Sequence, residues 1–222
     1  MKFKDRSNFI LFGGSFNPIH LGHAALVRAV AALPGVSGVL VVPAALSPFK
    51  TGTEPLPAEL RLRMVRAALA DVAGVSVLEL ELRRPPPSYT VDTVAEIART
   101  YPGARLRLAM GCDTFLGFAR WHRAGDILAL ADLLVVARAG TEPPFREGGA
   151  GWLDLLPEPW ARGARVDSRG AVHTPEGRAL VEYLDQPLPP CCSTRIRRER
   201  AYHLVPPGAR ELLEAHERGS IP

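Results

Sequence analysis

Residues 8–12, "NFILF", run into residues 13–23, "GGSFNPIHLGH", which open the helix-period segment "HAALVRAVAAL" at 23–33. The first piece is an apolar run of strand length, and the last stops at Pro34-Gly35. A strand that passes through Gly13-Gly14 into a helix brings backbone N–H groups up to an anion. Glycine lets the backbone come close, and the helix start adds the positive end of a dipole. His20 and His23 stand in the helix entry three residues apart, so both rings lie on one side. Two imidazoles there can donate hydrogen bonds to phosphoryl oxygens while charge builds on them, and Gly22 keeps side chains clear of a ligand. The signatures G-x-x-x-x-G-K-[ST] and G-x-G-x-x-G are absent. Incidental histidines and zinc ligation are the alternative readings, and for zinc no acid or cysteine stands at suitable local spacing.

Outward from this turn, apolar runs of strand length recur at 38–43 "GVLVVP", 75–82 "VSVLELEL", 106–110 "LRLAM" and 133–138 "LLVVAR". The runs at 38–43 and 133–138 are continuous and valine-rich, as in strands buried on both faces. Between them lie helix-period segments at 57–72, 90–101 and 122–131. In the first of these, Leu60, Met64, Ala67 and Ala68 share one face and Arg61, Arg63 and Arg66 fall largely elsewhere. Strand and helix alternate, which predicts a doubly wound parallel α/β sheet. Residues 139–190 break the rhythm with proline- and glycine-rich stretches, and predict a long surface loop or flap with one helix near 175–185. The end, "PPGARELLEAHERG", predicts a last helix opened by proline and closed by Gly219.

The 222 residues suffice for one sizeable core and predict a single domain. No apolar run approaches the ~20 residues needed to cross a bilayer, and the N-terminal apolar stretch is too short for a signal peptide. The three cysteines, Cys112, Cys191 and Cys192, form no C-x-x-C pair or disulfide framework, which points to a reducing cytoplasm. A net charge of +4 favours anionic partners. Arginine supplies nearly all of the positive charge, and Lys50 is the only lysine besides Lys2 and Lys4. A compact ammonium suits a point-charge contact to phosphate, although a chance surface lysine reads the same way.

In "CCSTRIRRER" at 191–200, Ser193 and Thr194 are natural helix N-caps. Arg195, Arg197 and Arg198 crowd the expected first turn, where the macrodipole disfavours cations by ~0.3–1 kcal/mol each. A polyphosphate at the helix end would relieve that conflict, with Arg197 holding it bidentately; a solvated basic helix or nucleic-acid patch is the other reading. In "SYTVDT" at 88–93, Ser88 or Thr90 would cap an amphipathic helix whose first N–H groups face an anion. Trp121 is either a stacking partner for a ligand ring or a core tryptophan. Asp113, just past Gly111, sits at the C-terminal end of an expected strand, where doubly wound sheets bind ligands.

These motifs resemble a known set. "GGSFNPIHLGH" is similar to the H-x-G-H signature of the nucleotidyltransferase superfamily, in the form used by bacterial nicotinate-mononucleotide adenylyltransferases. "PAALSPFK", "PPPSYTVDTV", "MGCDTFLGFARW" and "CCSTRIR" resemble that family's later segments, in the same order. Cysteines stand at 191 and 192 where the family has isoleucine and serine, and Phe49 stands where histidine is common. The resemblance implies a Rossmann-like nucleotidyltransferase fold with a small helical part at 191–222. The implied reaction is adenylyl transfer from ATP to nicotinate mononucleotide, giving deamido-NAD and pyrophosphate, with Mg²⁺ arriving on ATP and no protein metal site. It implies catalytic roles for His20, His23, Lys50 and Arg197. ATP would lie on Gly13, Gly14, Ser15, Phe16, His20, His23, Gly111, Asp113, Ser193, Thr194 and Arg197. The acceptor would lie on Asn17, Lys50, Tyr89, Thr90, Trp121 and Arg138. No nucleic-acid or membrane partner is implied. The alternatives are another H-x-G-H transferase, acting on nicotinamide mononucleotide, phosphopantetheine or a cytidylyl acceptor, and a basic nucleic-acid-binding module.

Overall fold

The computed structural model describes residues 7–45, 55–138 and 150–221. β1 (Asn8–Gly14) forms where the sequence offers Phe9 to Phe12 in succession, and all four are buried, as in a strand covered on both faces. The chain then alternates through α1 (Leu21–Ala31), β2 (Gly38–Pro43), α2 (Ala58–Leu69), β3 (Val75–Val77), α3 (Thr90–Thr100) and β4 (Arg105–Gly111). A short α4 (Cys112–Phe115), α5 (Ala124–Leu130) and β5 (Asp132–Arg138) follow. Then come β6 (Arg165–Val166), β7 (Val172–His173), β8 (Ala179–Leu188), α6 (Ser193–Glu199) and α7 (Pro207–Glu217).

The chain divides into two units, and the boundary between them falls within β1, after Leu11. The first holds the chain up to Leu11 with Tyr89–Leu188, and its strands run in the order β1-β4-β5-β8-β7-β6. β1 with β4, β4 with β5 and β5 with β8 pair in parallel, while β7 pairs antiparallel with both β8 and β6. At the start of these strands, buried Asp132 accepts from Arg105 Nε at 2.8 Å and Arg178 Nε at 2.9 Å. Glu182 accepts from Arg105 at 2.6 Å and Arg107 at 3.0 Å. The second unit holds Phe12–Ser88 and the chain from Pro189 on, with strands in the order β3-β2-β1 and β2 parallel to β3. In it α7 packs on α2, where a Cβ on Gly208 would lie 3.5 Å from that of Ala67. The result is the mostly parallel, helix-flanked sheet of the doubly wound α/β class, as the alternation predicts.

Three expectations need correction. The helix expected near 175–185 is the strand β8, whose Leu180 and Val181 are fully buried. β5 is a continuous apolar strand that needs a neighbour on each edge, and pairing to Val181–Leu184 overrides any local helical tendency. The expected loop therefore contains, over 150–188, a 3₁₀ turn carrying buried Trp152 and three strands. The strand expected over 75–82 ends at Val77, and Leu80 begins a turn. Arg61, expected off the apolar face of its helix, is only 2% exposed. No helix among the described residues is long and apolar enough to cross a membrane.

Candidate active site

The turn between β1 and α1 is held from several sides within the second unit. Phe16 has a left-handed backbone, with φ of 43°, and its ring folds back over Gly14. A Cβ on Gly14 would meet that ring at 3.0 Å, so the Phe16 ring fills the space a side chain there would need. Gly13 is exposed, with nothing nearer than 3.9 Å to a Cβ placed there, and is the glycine that leaves backbone accessible. Asn17 is buried; its Oδ1 accepts the Leu56 N–H at 3.0 Å.

His20 is the N-cap of α1 and His23 is its third residue, and the two cap the helix reciprocally. The His23 N–H donates to His20 Nδ1 at 3.2 Å, and the His20 N–H donates to His23 Nδ1 at 3.3 Å. The rings stack with centroids 3.6 Å apart and planes 12° apart, and Phe16 meets the His23 ring edge-on at 5.1 Å. A ring nitrogen that accepts an N–H carries no proton. Each neutral imidazole therefore bears its hydrogen on Nε2, the edge farther from the helix backbone. Gly22 permits this packing: a Cβ there would lie 3.1 Å from the Pro189 carbonyl and 3.2 Å from His20 Nδ1.

α6 closes on the same turn. Ser193 Oγ donates to the Pro18 carbonyl at 3.0 Å, and Arg197 Nη1 donates to the carbonyls of Asn17 and Ser193. The N-cap is Cys192, with no side-chain cap, so Ser193 anchors the helix to the turn instead of capping it; Thr194 is exposed in the first turn. The helix is short enough that Arg197 and Arg198 fall in its last turn, where the dipole favours cations, which removes most of the conflict expected from the sequence. Arg195 is paired with Glu199 at 2.8 Å.

The first unit carries a second group of expected residues. Tyr89 is the N-cap of α3 and Thr90 its first residue, without a side-chain cap. Ser88, the last residue of the Phe12–Ser88 segment of the second unit, is not the cap: its Oγ donates to the Glu81 carbonyl at 3.4 Å. The Tyr89 ring lies 4.2 Å from that of exposed His122, a residue the sequence reading passed over although it adjoins Trp121. Trp121 is half-buried, with its ring 5.6 Å from Phe118. Gly111 is the N-cap of α4, and exposed Asp113 accepts the Thr114 N–H at 2.9 Å. Arg138 ends β5, and its side chain lies outside the described set, as does the whole of Lys50. Among the described residues no group of three or more His, Cys, Asp or Glu side chains could hold a metal ion.

A strand–turn–helix with paired histidines, on a parallel sheet, defines a nucleotidyltransferase-type site, and comparison with known proteins agrees. The model of the cytidylyltransferase-like family matches residues 11–199. A probable nicotinate-nucleotide adenylyltransferase of Pelobacter propionicus is 34% identical over 210 residues, covering 89% of this chain and 91% of that protein. One from Symbiobacterium thermophilum is 39% identical over 130 residues, or 59% of this chain and 62% of that protein. Among solved structures, Plasmodium falciparum nicotinic acid mononucleotide adenylyltransferase complexed with NaAD superposes with a TM-score of 0.69. That match covers 95% of this chain and 96% of the other at 13% identity, a likeness of fold. The chain belongs to the cytidylyltransferase-like family and, within it, to the nicotinate-nucleotide adenylyltransferases.

Proposed function

We propose that the protein transfers the adenylyl group of ATP to nicotinate mononucleotide, releasing pyrophosphate and forming deamido-NAD. The observation that carries the reading is the reciprocal capping of His20 and His23, which makes Nε2 the donor edge of both rings at a helix start built to face phosphate. A 5′-phosphate oxygen of the mononucleotide attacks the α-phosphorus in line. The bond from that phosphorus to the bridging oxygen breaks, and its electron pair leaves with pyrophosphate. A phosphate monoester has mostly lost its second proton at pH 7, so the nucleophile needs no base. Catalysis is positioning plus charge stabilisation, with His20 and His23 donating to phosphoryl oxygens as charge builds. Arg197 braces the turn through Asn17 and, with Lys50, supplies positive charge to the phosphates. Mg²⁺ enters as part of the MgATP substrate.

We assign the acceptor's ring to Tyr89, Trp121 and His122, and its carboxylate to the Thr90 and Val91 N–H groups at the start of α3, which by position have no intrahelical carbonyl. Asp92 in the same turn is exposed, where solvent screens its charge. A cytoplasmic setting is supported by three cysteines that form no disulfide. The test is a label-transfer experiment with ATP labelled at the α-phosphorus. The label should appear in a dinucleotide product and none should stay on the protein; a labelled protein intermediate would refute direct transfer.

A further inference from the structure

Arg61, on α2, is 2% exposed, yet among the described residues it pairs with no carboxylate. Its guanidinium is satisfied by four backbone carbonyls instead. Nε donates to Leu56 at 3.0 Å, Nη1 to Ser15 and Ala44 at 2.7 Å each, and Nη2 to Ala45 at 2.9 Å. Those carbonyls come from three separate pieces of chain: the phosphate-facing turn, the exit of β2, and the entry to α2. Two further bonds tie the same pieces together, from Ala44 N–H to Gly14 O at 2.8 Å and from Leu56 N–H to Asn17 Oδ1 at 3.0 Å.

The bond to Ser15 has a directional consequence. In a trans peptide the carbonyl and the following N–H point in opposite directions. Drawing the Ser15 carbonyl toward Arg61 therefore turns the Phe16 N–H away from α2. Phe16 is also the residue held at a φ of 43°, a conformation that persists only where its surroundings over-determine it.

We infer that Arg61 is a positioning residue for nucleotide binding and transfer: its planar fork fixes the Gly14–Asn17 turn, and with it the height at which Phe16 and His23 stand. The inference rests on the adenylyl-transfer reading only for its rate, not for its effect on nucleotide affinity. Burial alone pulls the guanidinium below its ordinary pKa, but arginine remains cationic, so the turn also rests on a buried positive charge. Lysine cannot substitute, because a single ammonium with three hydrogens cannot reach four carbonyls set around a planar fork.

The experiment compares the wild type with Arg61→Lys, Arg61→Met and, as a control for destabilisation elsewhere, Arg178→Met. Arg178 bonds Asp132 and the Leu128 carbonyl in the other unit. Thermal midpoints are measured first, then ATP affinity by calorimetry, then kcat and acceptor KM well below every midpoint. Arg61→Lys should fold, bind ATP at least fivefold more weakly and lose roughly 10–100-fold in kcat, the scale of a small misplacement of reacting groups. Acceptor KM should stay within about threefold. Arg178→Met should lower the midpoint and leave ATP affinity and kcat within twofold. Arg61→Met should behave like the lysine variant if it folds; if it does not, the lysine variant decides. ATP affinity and kcat within twofold of wild type in folded Arg61→Lys would overturn the inference. A wild type that binds ATP but forms no dinucleotide would refute adenylyl transfer alone, and the ATP affinities would still decide the role of Arg61.

Discussion

Each ring of the histidine pair has two tasks, and substitution of His23 separates them. Its Nδ1 accepts the His20 N–H, and its Nε2 is the proposed donor to phosphate. His23→Ala removes both. Loss of a capping acceptor costs ~0.5–2 kcal/mol. For a chain of this size, about 1 kcal/mol corresponds to a fall in Tm of roughly 2–4 °C. Loss of a donor to a developing oxyanion costs ~10²–10³ in kcat. His23→Gln keeps only the first task, because glutamine three residues after the N-cap is itself a capping-box residue that reaches back to the N-cap N–H. It places no imidazole N–H where Nε2 stands. His23→Gln should therefore recover most of the Tm lost in His23→Ala while its kcat stays at least ~10²-fold below wild type. Differential scanning fluorimetry and single-turnover rates on the same preparations make the comparison. Wild-type kcat in His23→Gln would refute the donor role, and an unchanged Tm in His23→Ala would refute the cap.

The Gly22 and Glu182 sites give two more outcomes. Gly22→Ala in the first turn of α1 would ordinarily gain ~0.5–1 kcal/mol, but a Cβ 3.1 Å from the Pro189 carbonyl and against the His20 ring reverses the sign. Both Tm and kcat should fall, and a higher Tm with full activity would remove the packing argument. Burial pushes the Glu182 carboxyl up, but the hydrogen bonds and charges of Arg105 and Arg107 outweigh it and hold its pKa below the ordinary carboxylate value. Its contribution to stability is thus complete above the unfolded value of about 4.3 and is lost as pH falls through the lower folded value. The Tm gap between wild type and Glu182→Gln should be constant near neutrality and shrink below about pH 4; a gap that widens in acid would contradict the assignment.

What the sequence made legible was local. Phe9–Phe12, Val39–Pro43 and Leu133–Ala137 are continuous apolar runs, and each lies buried in a strand, because a strand covered on both faces has nowhere to put polar residues. The spacing of His20 and His23 placed their rings side by side because i and i+3 positions adjoin on a helix. What escaped depends on partners distant in the chain. β8 is a strand because β5 lies alongside it, with Leu133 opposite Val181 and Val136 opposite Leu184. Arg61 is buried because its four acceptors arrive from residues 15, 44, 45 and 56. Its spacing to Val65 and Ala68 on the buried face of α2 was the available signal. Nothing local in the sequence shows that Phe16 folds back over Gly14. The expectation that Lys50 contacts phosphate falls outside the described residues.

The central claim is the choice of acceptor for adenylyl transfer, and initial rates of pyrophosphate release from MgATP test it most directly. Nicotinate mononucleotide, nicotinamide mononucleotide and phosphopantetheine are each supplied as acceptor to the wild-type protein. The account predicts the highest kcat/KM with nicotinate mononucleotide, at least tenfold above the nicotinamide form, a ratio that needs only ~1.4 kcal/mol of differential transition-state binding. In the proposed assignment the carboxylate would accept charge-assisted hydrogen bonds from the start of α3 (Thr90–Thr100), whereas the amide would turn an N–H₂ group toward the same donors. Equal kcat/KM for the two mononucleotides would contradict the helix-start account of selectivity, and release with phosphopantetheine alone would contradict the proposed function itself.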